Sequence, residues 1–167
     1  MALQITADHA PDKRGGEIEI TIIPILTGAF IFCADLIRHM PIAMKIGLMT
    51  VSSYPGKSVT SQGATSVLGP KLGDIKGRHV LLIDDILDSG NTLRLVVPML
   101  AELQPASVKI CVLLRKDRES ARSLNADYVG FDIPDEFVVG YGLDFDNYYR
   151  NLPDIVTLKR EVIEGNG

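Results

Sequence analysis

Asp84, Asp85, Asp88, Ser89, Gly90, Asn91 and Thr92 crowd into one short segment, directly after four apolar residues, Val80, Leu81, Leu82 and Ile83. Four apolar residues in a row read as a strand buried on both faces. From Leu93 the spacing turns helical through Val96, Val97, Leu100 and Leu103. Residues 84–92 are therefore expected as a polar turn between strand and helix. In open α/β sheets such a turn, at the carboxyl end of a strand, is where ligands bind. Its successive backbone N–H groups, backed by a helix N-terminus, suit a phosphate monoester. Ser89 and Thr92 add hydroxyl donors. Asp84 and Asp85 would repel phosphate, so they fit sugar hydroxyls or a metal ion. The layout implies a ligand carrying both a phosphate and a sugar. The same residues also make an ordinary strand–turn–helix, with Thr92 capping the helix and Asp88 closing an Asx-turn. Spacing does not choose between the two.

Other residues have two readings each. Lys116 follows an apolar strand and by itself is a solvated strand-end cation. Phe137 alone reads as core, Asp144 as a turn residue and Arg150 as a surface cation. Arg115, Arg118 and Arg122 read as a solvated turn and helix face. His9, His39 and His79 are too scattered in the chain to suggest zinc ligation and read as non-catalytic. Cys33 and Cys111 lie inside apolar runs, as buried free thiols of a reducing cytoplasm do.

The elements that must position these groups follow from the hydrophobic pattern. A strand is expected over 18–26, with Pro24 implying an irregular end or an edge position. A helix is expected over 29–39, its apolar face formed by Phe30, Cys33, Ala34 and Ile37. A second strand is expected over 44–51. Residues 52–77 are rich in Ser, Gly, Thr and Pro, a long loop of the kind that is functional or mobile. Further strands are expected over 108–114, 128–133 and 137–139. Pro98 falls inside the helix after the acidic turn and should bend it or cost it a hydrogen bond. Strands alternating with helices argue for a mainly parallel sheet covered on both sides. The 167 residues fit one domain. With 46% hydrophobic and 23% charged residues, the composition excludes a disordered chain, a collagen and a disulfide scaffold. A net charge of −4 argues against a broad basic face for nucleic acid. No apolar stretch is long enough for a membrane span and no signal peptide is visible.

The segment from Val80 to Leu93 resembles the signature of type I phosphoribosyltransferases, which bind phosphoribosyl pyrophosphate. That pattern is an apolar strand, two acids, two apolar residues and then Asp-Thr-Gly-x-Thr. Here Ser89 stands where Thr is commoner and keeps the hydroxyl. Leu26-Thr27-Gly28-Ala29-Phe30, followed by Ala34-Asp35-Leu36, resembles the pyrophosphate loop of the hypoxanthine-guanine members, with Thr27 in place of the usual Lys. Ser52-Ser53-Tyr54 resembles the start of their mobile loop. Leu113-Leu114-Arg115-Lys116 resembles their purine-facing strand end. Residues 127–144 and 149–153 are similar to their hood and C-terminal stretch. The resemblance covers roughly residues 18–153.

It implies an α/β fold of the type I phosphoribosyltransferases, a central mainly parallel sheet flanked by helices. One domain would span 1–167. A small hood would form largely from about 128–167 with the N-terminal segment, and the helix usual before the first strand would be short or absent. The implied activity is purine salvage: the 5-phosphoribosyl group passes from phosphoribosyl pyrophosphate to hypoxanthine or guanine. Asp88 and Lys116 would be catalytic. Asp88, Ser89, Gly90, Asn91 and Thr92 would hold the 5′-phosphate, and Asp84 and Asp85 the ribose. Leu26, Thr27, Gly28 and Arg150 would hold the pyrophosphate. Lys116, Phe137, Val138 and Asp144 would hold the purine, and Ser53 and Tyr54 would belong to the mobile loop. Mg²⁺ is the implied cofactor, with Asp144, Asp84 and Asp85 about it. A cis peptide between Leu26 and Thr27 is implied as well. So are a cytoplasmic setting, a homodimer or homotetramer, and no nucleic-acid or membrane partner.

Two other readings use the same fold: an RNA-binding regulator of the pyrimidine-operon kind, and a nucleotide-binding homologue without turnover. The regulators share the acidic turn but prefer Thr-Arg-Gly at the pyrophosphate loop and lack the Phe-Val-Val-Gly-Tyr-Gly-Leu-Asp hood. Thr27 is the feature that favours the second.

Overall fold

A computed structural model of the chain describes residues 1–9, 20–53, 65–67 and 74–165. The central strand β1 is Ile20–Leu26 and the next helix, α2, is Phe30–Arg38, preceded by a seven-residue α1 at Ala2–Asp8. Then come β2 (Met44–Ile46), β3 (Met49–Ser53), β4 (Thr65–Val67) and β5 (His79–Leu87). Helix α3 (Asn91–Glu102) leads to β6 (Ser107–Lys116), a short α4 (Glu119–Arg122) and β7 (Tyr128–Ile133). Strands β8 (Val138–Val139) and β9 (Val156–Thr157) precede α5 (Arg160–Glu164).

The main sheet has the order β4-β3-β1-β5-β6-β7, with β2 also paired to β1. All its pairings are parallel except β3 with β4. The expected α/β sheet is thus present. Alternation along each strand sends side chains to opposite faces. Ile20, Ile22, Leu81, Ile83, Cys111 and Leu113 pack with Ile5 of α1 and with Phe32, Cys33 and Leu36 of α2. Ile23, Ile25, Val80, Leu82, Ile110 and Val112 pack with Leu93, Val96 and Leu100 of α3. Strands buried on both faces explain the unbroken apolar runs.

Several expected boundaries move. Pro24 is not at an edge, since β1 is flanked on both sides. It falls where pairing on one flank passes from β2, matched to Ile20–Ile22, to β3, matched to Ile25 and Leu26. A residue without an N–H is tolerated at such a gap. The expected strand over 44–51 is split there into β2 and β3. The buried face of α2 is Phe32, Cys33 and Leu36, while Phe30 and Ala34 are exposed. Helix α3 runs through Pro98, which is exposed. Both cysteines are free and buried, and burial pushes their thiols up, Cys33 to about 11 and Cys111 to about 12. Among the described residues no helix is long and apolar enough to cross a membrane.

At its start the chain is tied down by polar contacts. Asp8 Oδ2 accepts from the Tyr128 hydroxyl at 2.6 Å and from Lys109 Nζ at 3.1 Å, fastening α1 to β6 and β7. The rings of His9 and His79 meet edge to face at 6.1 Å, so these two histidines are neighbours after all. Among the described residues, however, no three His, Cys, Asp or Glu side chains form a group able to hold a metal ion.

Candidate active site

The polar turn begins later than expected. β5 continues through Asp84 and Asp85 to Leu87, with Asp84 in register with Val112 and Leu87 with Arg115. Two acids remain in a strand here because it runs out of the core into a cavity. Asp84 is 6% exposed. Burial, and then the neighbouring Asp85 charge, push its carboxyl well above the usual carboxylate range. Burial raises Asp85 as well, and hydrogen bonds from Asp84 and the backbone, then the Arg150 charge, pull it partly back. Both acids engage their own backbone: the Asp85 N–H donates to Asp84 Oδ1 at 3.1 Å, and the Ile86 N–H to Asp85 Oδ1 at 3.0 Å. A buried Asp84 beside a half-buried Asp85 favours whatever brings hydroxyl donors or positive charge to the pair.

The turn after β5 delivers α3. Its N-cap is Gly90, with φ +79°, rather than Thr92. Glycine reaches that left-handed conformation without penalty. The Ser89 carbonyl accepts from Arg94 Nη1 at 2.7 Å, and the Asn91 N–H donates to Ser89 Oγ at 3.4 Å. The first N–H groups of α3 lack intrahelical partners, as in any helix, and face the turn.

Opposite stands the loop between β1 and α2. The Leu26–Thr27 peptide is cis, as the resemblance implies. Gly28 lies against Asp85, and Gly142, with φ +104°, packs against the Gly28 carbonyl. Arg150 joins this wall: Nη1 donates to the Gly142 carbonyl at 2.7 Å, and Nη2 pairs with Asp144 Oδ1 at 2.8 Å. Asp144 Oδ2 accepts the Asn147 N–H at 2.8 Å. The Tyr141 hydroxyl donates to Asp35 Oδ2 on α2 at 2.6 Å, and Arg38 pairs with the other oxygen. These two donors hold the Asp35 carboxyl below its usual value.

Two cavities result. One, of about 270 Å³, is walled by Leu26, Gly28, Asp84, Asp85, Asp88, Ser89, Gly90, Thr92, Asp144 and Arg150, with Ile25, Val51, Ile86, Leu87 and Leu93. The other, of about 130 Å³, is walled by Lys116, Phe137, Val138 and Leu143, together with Asp85, Ile86, Asp88 and Asp144. Those last four residues are common to both. Thr27 and Asn91 are exposed and belong to neither wall. Tyr54 lies outside the described residues, and only the backbone of Ser53 is described. The three acids expected about a metal line one cavity but form no ready-made cage. Asp85 and Asp144 still supply hard oxygen donors beside Arg150. That suits Mg²⁺, which is held by one or two carboxylates plus substrate phosphates and water.

Lys116 ends β6 and is 6% exposed, so it is no solvated strand-end cation. Its Nζ lies 3.1 Å from Asp88 Oδ2 and 3.5 Å from Asp135 Oδ1. Arg118, expected to be solvated, pairs with Asp88 Oδ1 at 2.6 Å and through Nε with Asp135 Oδ2 at 2.6 Å. Asp135 and Arg118 went unrecognised in the sequence because their partners lie on other elements. Arg115 pairs with Asp132, its neighbour on β7, and Arg122 with Asp117. Phe137 meets Phe145 edge to face at 5.6 Å.

Comparison with known proteins agrees with this fold. The sequence profile of the phosphoribosyl transferase domain matches residues 4–146. The hypoxanthine-guanine phosphoribosyltransferase of Streptococcus pneumoniae strain R6 is 43% identical over 162 residues, 97% of this chain and 86% of that protein. A crystal structure of the Bacillus anthracis hypoxanthine-guanine phosphoribosyltransferase superposes with a TM-score of 0.82 at 40% identity, covering 95% of this chain and 89% of that one. The Trypanosoma cruzi hypoxanthine phosphoribosyl transferase gives 0.85 at 37% identity, covering 98% and 86%. The chain therefore belongs to the phosphoribosyltransferase family and, within it, groups with the hypoxanthine-guanine phosphoribosyltransferases.

Proposed function

We propose that the two cavities hold the two halves of one reaction: phosphoribosyl pyrophosphate in the larger, a 6-oxopurine in the smaller. The supporting observation is their common wall. Asp85, Ile86, Asp88 and Asp144 border both, so a sugar seated in one presents its anomeric carbon to a base seated in the other.

In this reading Asp88, Ser89, Gly90, Asn91 and Thr92 hold the 5′-phosphate, by backbone N–H groups and hydroxyls. Asp84 and Asp85 face the ribose hydroxyls. The Leu26–Thr27–Gly28 loop and Arg150 hold the pyrophosphate. Lys116 donates to O6 of the purine, Phe137 stacks on its ring, and Val138 and Asp144 border its edge. N9 of the base attacks the anomeric carbon as the bond to pyrophosphate breaks, and pyrophosphate leaves with the electron pair. The N7 proton passes to Asp88. Positive charge developing on the ribose is stabilised by the Asp84–Asp85 pair. Asp144, Asp85 and Asp84 would hold Mg²⁺, which would supply charge neutralisation for the pyrophosphate.

The same reading makes residues 1–167 one domain, with a hood from about 128 onward, in a cytoplasmic homodimer or homotetramer. The Trypanosoma cruzi relative has been studied for the effect of its C-terminal region on oligomeric state. The activity is tested by identifying products after incubation with phosphoribosyl pyrophosphate, hypoxanthine and Mg²⁺. Equal amounts of inosine monophosphate and pyrophosphate are expected. Sugar hydrolysis without nucleotide would contradict the reading.

A further inference from the structure

Four charged side chains meet beside the smaller cavity: Asp88 and Lys116 line it, and Arg118 and Asp135 pair with them. They come from three places, the turn after β5, the end of β6 with the segment following it, and the turn between β7 and β8. Each oxygen of Asp88 takes one cation, Oδ2 facing Lys116 at 3.1 Å and Oδ1 facing Arg118 at 2.6 Å. Two separate donors fix the plane of a carboxylate, whereas one would leave it free to turn. Arg118 is itself fixed at its other edge, where Nε meets Asp135 Oδ2 at 2.6 Å. Asp135 precedes Phe137 and Val138, two walls of the smaller cavity, by two and three residues. Lys116 also lines that cavity, and an ammonium has three donors. It therefore has a donor left for a ligand while it holds Asp88.

We propose that Arg118 is a positioning residue for the transfer reaction. It fixes the Asp88 carboxylate on the phosphate turn relative to the hood that carries Phe137. This rests on the reading of Asp88 as proton acceptor. Arg118 lines neither cavity and acts through Asp88, which lines both, so it makes no contact with the reacting atoms. Losing it lets the acceptor rotate away from the base, and misplacement of a reacting group is costly in rate rather than in ground-state affinity. The side chains of Arg118, Asp88 and Asp135 are 39%, 39% and 42% exposed, and ion pairs that exposed contribute little to folding. The fold should survive the change.

The test is a double-mutant cycle on steady-state kinetics, with the intact chain, Mg²⁺, phosphoribosyl pyrophosphate and hypoxanthine. Arg118→Ala is expected to lower kcat about tenfold, with KM for phosphoribosyl pyrophosphate within about twofold. Arg118→Lys, which keeps one of the two pairings, should recover a part of that loss. In an Asp88→Asn background, Arg118→Ala should cost less than about twofold more, because the group it positions is already inert. An unchanged kcat in Arg118→Ala beside a large loss in Asp88→Asn would overturn the positioning role alone. So would an equal loss from Arg118→Ala in both backgrounds, the mark of a merely structural part. A normal kcat in Asp88→Asn would instead remove Asp88 as acceptor, and the role of Arg118 with it.

Discussion

A methyl group on Gly28 would lie 2.0 Å from Oδ2 of Asp85, well inside van der Waals contact. The loop after β1 and the acid pair of β5 are thus fitted to each other through the absence of one side chain. Gly28 also offers its carbonyl to Gly142, where a Cβ would sit 2.2 Å from that oxygen. Gly28→Ala must push either the loop or Asp85 out of place. We expect a loss of at least about 10²-fold in kcat/KM for phosphoribosyl pyrophosphate, since a displacement near 1 Å costs that much. Steady-state kinetics at varied phosphoribosyl pyrophosphate measures it. Activity within a few-fold of the parent would show that this approach does not shape the site.

Asp88→Asn keeps the shape of the turn and removes the proton acceptor. Turnover should fall by about 10²–10⁴. Binding of phosphoribosyl pyrophosphate, followed by calorimetry, should change little. An equal loss in binding would move Asp88 from proton transfer to phosphate holding.

Lys116→Met keeps the length of the side chain and removes its charge. The loss of a donor to O6 is expected to cost about 1–3 kcal/mol, or roughly 5- to 150-fold in kcat/KM for hypoxanthine. Discrimination against 6-amino purines should narrow with it. If both purine classes keep their original ratio, another group reads the 6-position.

The buried Asp84 trades stability for function. Its carboxyl is raised well above the ordinary value of 3.8 in the folded chain, first by burial and then by Asp85. The unfolded chain therefore loses this proton at lower pH. The stabilising contribution is complete below that ordinary value and is lost as pH rises through the folded value. Asp84→Asn cannot ionise, so its Tm should exceed the parent's at neutral pH and converge with it near pH 3.8. Each 1 kcal/mol recovered is about 2–4 °C for a chain of this size. Calorimetric scans across pH, without substrate or divalent cation, check this. A lower Tm for Asp84→Asn at neutral pH would contradict it.

How far the sequence could be read follows from the range of the interactions involved. The run Val80 to Ile83 announces a doubly buried strand because both its faces need apolar cover, and β5 begins one residue before it, at His79. Its end at Leu87 was hidden, because acids suggest a turn and only pairing with β6 keeps them in the strand. Pro24 looked like an edge residue since nothing local reveals that β2 hands over to β3 beside it. The face of α2 is not decided by the sequence because Phe30 is as apolar as Phe32, and tertiary packing decides which is covered. Asp88 and Lys116 are legible as separate motifs, and the fold sets them 3.1 Å apart. Arg118 and Asp135 were not, because each matters only through partners on other elements.

The central claim is that a phosphoribosyl group is transferred to a base chosen by its 6-oxo group. Its most direct test is kcat/KM with saturating phosphoribosyl pyrophosphate and Mg²⁺, for hypoxanthine and guanine against adenine. A site that hydrogen-bonds the 6-position should favour at least one of the 6-oxopurines over adenine by at least about 10²-fold. Adenine turned over as well as both, or no nucleotide formed from any base, would contradict the account.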